Sequence, residues 1–154
     1  MKIGLVGVGR WGKNIAKTIR DFEDIELCCV NSKNPNIYDF IPDGCCVYKE
    51  WQKMLTYPNL NGIIVSTPPN THYDIAKSSL IQKIPVLVEK PLTLNRKEAL
   101  SLKKISIKNN TLLMTEFTQL FSPKFKALKN TLNLIGGINK IYTESYNFGP
   151  IRKD

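Results

Sequence analysis

Residues 84–95 read IPVLVEKPLTLN. An apolar run from Pro85 to Val88 stops abruptly at an acid, a base and a proline: Glu89, Lys90 and Pro91. A buried strand with that ending carries ionisable groups to the rim of a sheet. Taken alone, the three residues equally describe a polar strand end closed by a turn proline. A second stretch, GLVGVGRWG, sets Gly7, Gly9 and Gly12 in G-x-G-x-x-G spacing. The spacing is a weak signal in isolation, but here it follows an apolar run and opens a helical pattern, the context that gives it meaning. Gly7 permits the tight turn, Gly9 lets a pyrophosphate approach the backbone, and Gly12 lets helix and strand pack closely. The helix N-terminus adds N–H donors and partial positive charge. These glycines, with Arg10 and Trp11 between them, are candidate dinucleotide ligands, and the competing reading is a tight turn without a ligand.

In dinucleotide-binding units an acid about 20 residues beyond the glycines binds the ribose hydroxyls. This chain has Asn31, Ser32 and Lys33 at the end of its second apolar run. An acid would repel a 2′-phosphate, whereas Ser and Lys can bind one. The expected cofactor is therefore NAD or NADP, with NADP favoured. Lys33 reads equally well as a solvated loop lysine.

The elements that must position these groups follow from periodicity. Short apolar runs predict strands at Lys2–Val6, Ile25–Val30, Cys45–Tyr48, 62–66, 85–89 and 111–115. Helical spacing predicts helices over Arg10–Phe22, around Trp51–Leu55, over Asn70–Leu80, from Asn95 to about Asn109, and over Phe121–Leu134. Asn95 with Glu98 reads as a capping box. One helical turn is expected after Asn34, as an N-cap before Pro35. Residues 140–148 alternate with period two and predict a last strand. Alternating strands and helices imply an α/β fold, a Rossmann-type doubly wound parallel sheet, with one extra C-terminal strand.

The 154 residues suit one domain of ordinary size, with net charge +9. Residues 89–154 carry 12 Lys/Arg against 5 Asp/Glu. The lysines are scattered and not interleaved with aromatics, so no nucleic-acid partner is expected. No apolar run is long enough to span a membrane and no cleavage site follows the N-terminus, so the expected location is cytoplasmic. Cys28–Cys29 and Cys45–Cys46 lack the spacing of a zinc site. They read as strand filler, each pair with one buried thiol and one on the opposite face. No metal is expected.

Three stretches, GLVGVGRWGKN, STPPNTHYDIAKSSL and VLVEKPLTLN, together resemble the Gfo/Idh/MocA oxidoreductase family, the glucose–fructose oxidoreductase and inositol dehydrogenase group. FTQLFSPKFKALKN and GGINKIYTESYNFGPIRKD are also similar to family segments, so the resemblance spans nearly the whole chain. It implies that Lys90 is catalytic, beside the nicotinamide and the reacting carbon. Glu89 would position it, and Pro91 would fix the turn through a cis bond. Thr67, Pro68, Asn70 and His72 would line the cofactor, with Glu89 and Lys90 also close to it. His72 reads equally as a helix-start histidine satisfied by backbone.

The same resemblance implies residues 1–118 as an NAD(P)-binding Rossmann domain, and 119–154 as the helix and first strand of a C-terminal α/β domain. Family chains run to roughly twice this length. Their second domain supplies a catalytic histidine, binds substrate and forms the subunit interface. The one histidine here is His72. The expected function is hydride transfer between nicotinamide and a sugar- or polyol-like alcohol, with little turnover by this chain alone. The alternatives are a noncatalytic dinucleotide sensor or one half of a split enzyme. A homo-oligomer through the last strand is a further expectation.

Overall fold

A computed structural model describes residues 1–132, 134–144 and 146. They fall into two compact units, Met1–Phe117 and a second beginning at Thr118. The first unit is built on a 6-stranded sheet in the order β3-β2-β1-β4-β5-β6. Its strands are β1 (Lys2–Val6), β2 (Glu26–Asn31), β3 (Cys46–Tyr48), β4 (Gly62–Val65), β5 (Val86–Glu89) and β6 (Leu113–Glu116). Every ladder is parallel. Parallel neighbours require crossovers, which α1 (Gly12–Arg20), α2 (Trp51–Met54), α3 (His72–Ile81) and α4 (Arg96–Asn109) provide.

Both faces of the sheet are covered, which is why its strands read as continuous apolar runs rather than alternating ones. Successive residues of β1 serve opposite faces. Leu5 packs with Ala16 and Ile19 of α1 and with Ile37 and Ile41 of the β2–β3 connection. Val6 packs with Met54 of α2, Ile75 and Leu80 of α3, and Leu102 of α4. Each such Val, Leu, Ile or Met side chain, fully withdrawn from water, contributes about 1.5–3 kcal/mol.

The observed elements match the expected ones to within one or two residues at most ends. α1 is shorter than expected, and Trp11 and Phe22 flank it half-exposed. α4 is capped as its sequence implies, the Asn95 side chain accepting from the Glu98 N–H at 3.0 Å. The turn expected from Asn34 starts later, as a 3-10 turn at Ile37–Asp39. Asn34 does not cap it but accepts instead from the Asn36 N–H at 3.2 Å, closing a local Asx turn.

The reading of Cys28 and Cys29 needs correction, because both are buried in one cluster. The β1–β2 register runs Ile3↔Leu27 and then Gly4↔Cys29, leaving Cys28 as an extra residue. A bulge breaks the two-residue alternation. The Cys28 thiol accordingly lies 3.9 Å from that of Cys29.

In the second unit, a 3-10 turn (Thr118–Phe121) precedes α5 (Pro123–Leu132). The helix begins later than expected because Pro123, lacking an N–H, suits its first position. Of the strand expected at 140–148, residues 140–144 and 146 carry no ladder, and 145, 147 and 148 lie outside the described residues. Period-two alternation supplies side-chain placement, but a strand needs a neighbour to take its backbone hydrogen bonds. No helix among the described residues is long and apolar enough to cross a membrane.

Candidate functional site

The strand order reverses between β1 and β4, and at such a point the loops leaving the carboxyl ends of the strands diverge and open a crevice. Here it is a cleft of about 970 Å³, walled by the β1–α1 turn, the end of β2 and the β4–α3 loop. Gly7 enters the turn with φ +94°, and a Cβ there would stand 2.6 Å from the Ser66 carbonyl oxygen. Its N–H donates to the Asn31 carbonyl at 2.8 Å, tying the turn to β2. Gly12 packs against the Gly7 carbonyl with no room for a Cβ. Gly9 differs, since a Cβ there meets nothing within 4 Å. Protein packing does not require its bareness.

The charged groups on the cleft wall are Arg10, Lys13 and Lys33, and no carboxylate joins them. With the first turn of α1 they make an anion-attracting surface. Lys13 is held with its ammonium 3.9 Å from the centre of the Phe40 ring. Asn31 lines the cleft, but its amide donates to the Tyr48 and Lys49 carbonyls, both at 3.0 Å, and ties β2 to β3. Ser32 Oγ accepts from the Asn34 N–H at 3.0 Å. The amide nitrogen of Asn34 is buried with no hydrogen-bond partner while the residue lines the cleft. A buried donor left unmatched is costly, and an acceptor on a bound ligand would relieve it. The residues present therefore fit a dinucleotide.

On the opposite wall, Thr71 Oγ1 donates to the Pro68 carbonyl at 2.8 Å and lies 2.6 Å from Thr67 Oγ1. Because Thr71's proton is engaged, the Thr67 hydroxyl donates to it. Thr67, Pro68 and Asn70 all face the cleft. His72 does not. It is buried, with Nδ1 2.8 Å from the Pro91 carbonyl and Nε2 2.8 Å from the Thr67 carbonyl. It clamps the β4–α3 loop to the turn after β5, the role of a helix-start histidine satisfied by backbone.

Lys90 is exposed at the end of β5, and the Lys90–Pro91 bond is cis. Glu89 Oε2 accepts from the Lys90 backbone N–H at 3.3 Å. Burial pushes the Glu89 carboxyl above the usual carboxylate range, and Glu116 opposite pushes it further. The Lys90 N–H and the Trp11 side chain pull it partly back. Trp11 thus meets Glu89 rather than the cleft wall.

Lys13, Asn34, Trp51, Ser66 and Thr71 also line the cleft, although none was expected to. Lys13 could have been found as the residue four places after Gly9, one turn into the helix; the others depend on loop paths. Among the described residues, no His/Cys/Asp/Glu cluster could hold a metal.

Residues 1–117 match the family model described as an oxidoreductase family with an NAD-binding Rossmann fold. The chain is 27% identical to myo-inositol 2-dehydrogenase of Thermotoga maritima over 86% of its own length and 40% of that protein's. The fold matches a scyllo-inositol dehydrogenase from Lactobacillus casei with bound NAD(H) and scyllo-inositol, at TM-score 0.79 and 22% identity, over 87% of this chain and 41% of that one. It also matches biliverdin reductase from Synechocystis sp. PCC 6803 in complex with biliverdin and NADP+, at TM-score 0.76 and 22% identity, over 88% and 44%.

Proposed function

The chain belongs to the Gfo/Idh/MocA oxidoreductase family, and we propose that its cleft takes NADP in preference to NAD and serves hydride transfer to or from a sugar- or polyol-like alcohol. Residues 1–117 are the NAD(P)-binding Rossmann domain of such an enzyme. The observation that carries the cofactor preference is a cleft with three cations and no carboxylate on its wall. The residue in the place of the usual ribose-binding acid, Asn31, has its amide committed to β3 and its flank. That leaves Lys33 and the unmatched Asn34 amide beside the cleft to meet a 2′-phosphate.

Lys90 is the proposed catalytic group, donating to the substrate oxygen as hydride moves between carbon and nicotinamide. The bound cofactor supplies the hydride chemistry. Gly7, Gly9, Arg10 and Gly12 hold the pyrophosphate, and Thr67, Pro68 and Asn70 close the cleft. The substrate class rests on the inositol dehydrogenases among the relatives, of which the chain spans about 40%.

A second reading is favoured by His72. It is the chain's one histidine, and both its ring nitrogens face carbonyl oxygens. A histidine to receive the substrate proton would have to come from outside this sequence. The chain then supplies the cofactor site and Lys90 to a centre completed elsewhere, as one half of a split enzyme, or serves without turnover as a dinucleotide sensor. The residues beyond Thr118 belong, in either reading, to the start of a C-terminal α/β domain.

Titration with NADH and NADPH, followed by nicotinamide fluorescence, tests the proposal. Saturable binding that is tighter for NADPH and lost in Gly9→Val is expected, with Lys33→Asp removing the preference. Binding of neither form would overturn the reading.

A further inference from the structure

We propose that Glu89 and Glu116 hold one proton between them, and that Glu116 thereby positions Glu89 against Lys90. The inference rests on the reading of Lys90 as catalytic, but its geometry stands apart from the cofactor cleft. Glu89 and Glu116 are register partners at the carboxyl ends of β5 and β6. In a parallel ladder such partners point to the same face from strands about 4.8 Å apart. Two carboxyls placed so cannot both be ionised without strong mutual repulsion.

The surroundings of Glu89 give the same answer. Its Oε2 accepts the Lys90 backbone N–H at 3.3 Å, while its Oε1 is buried with no hydrogen-bond partner. A carboxylate oxygen sealed from water without a donor is costly. A protonated carboxyl opposite is the donor that is missing, since a carboxylic acid gives one O–H and keeps acceptor capacity. Neither the Lys90 N–H, which is on Oε2, nor the Trp11 side chain makes a hydrogen bond to Oε1. Val65 and Ser66 at the end of β4 carry no charge, the Trp11 side chain approaches from the entry to α1, and Lys90 makes no ion pair with Glu89 among the described residues. A shared proton leaves one negative charge, not two, beside Lys90, and holds Glu89 in one orientation.

The test is a carboxyl ¹³C NMR titration of the whole chain with glutamate side chains labelled. Two separated steps are expected from the pair, the upper one above the ordinary glutamate range. In Glu116→Gln the Glu89 signal returns toward that range. Should that variant fail to fold, the wild-type titration decides the matter alone. The Lys90 Nζ resonance should move with the upper step in wild type and lose that response in Glu116→Gln, which a packing role for Glu116 would not produce. Two carboxyls titrating together in the ordinary range, or a Glu89 signal unmoved by Glu116→Gln, overturns the proposal. Failure of the cofactor reading is distinguishable, as absent nicotinamide binding with the upper carboxyl step intact.

Discussion

The carbonyl oxygen of Gly7 stands where a Cβ on Gly12 would be, so the first turn of α1 closes directly onto the turn that leaves β1. Gly9, midway between them, faces open space. One motif thus holds glycines of two kinds, and substitution separates them. Gly12→Ala should destabilise the fold by about 1–3 kcal/mol, because backbone rather than a mobile side chain has to shift. Gly9→Ala should leave stability within about 1 kcal/mol while weakening nicotinamide binding at least several-fold. Urea unfolding and cofactor titration of the two variants side by side read both effects. Equal destabilisation would contradict the division.

His72 links the loop after β4 to the turn after β5 through carbonyls 2.8 Å away on either side. His72→Ala removes the ring that joins the two carbonyls and opens a cavity at a site 1% exposed. A loss of about 2–4 kcal/mol is expected by urea unfolding. A change under about 0.5 kcal/mol would show that the clamp is not structural.

The succession of strands and helices and the glycine turn were legible because they depend on local pattern: apolar runs of strand length, helical spacing between them, and three glycines at the junction. Asn34 was not. Its unmatched amide arises from a loop path that no periodicity encodes, and the residue reads as a helix cap until the turn is seen to begin at Ile37 with Asn36 before it. His72 had two readings of equal standing, and only the distance from Nδ1 to Pro91, 19 residues away, decides between them. Glu116 carried no motif at all; its meaning comes from the β5–β6 register. The alternation at 140–148 is likewise a local pattern, while the pairing that would make it a strand is not, and residues 140–144 and 146 carry no ladder.

The cysteines should differ sharply in reactivity. Cys28 and Cys29 are buried and Cys46 is exposed. Burial raises the thiols of Cys28, Cys29 and Cys45, that of Cys45 to about 12. Since the thiolate is the nucleophile, a thiol reagent at pH 8 should label Cys46 rapidly in the folded chain and the other three only after unfolding. Mass spectrometry of digested peptides assigns the sites. Fast labelling of Cys28 or Cys29 under native conditions would contradict the bulged, buried placement.

Glu89 should leave a signature in the pH dependence of stability. Its carboxyl lies above the ordinary value of 4.5 in the folded chain, chiefly through burial and then through Glu116. The native state therefore holds its proton more tightly than the unfolded state does. By linkage that stabilisation is full below about pH 4.5 and is lost as pH rises through the folded value. Wild-type stability should thus fall relative to Glu89→Gln from about pH 4.5 upward and then level off once the carboxyl is ionised in both states. Glu116→Gln should flatten the difference, because Glu116 is the second cause of the rise. Urea unfolding of the three proteins between pH 4 and 8 measures it. Parallel stability curves for wild type and Glu89→Gln across that range would show that Glu89 ionises as an ordinary surface carboxylate.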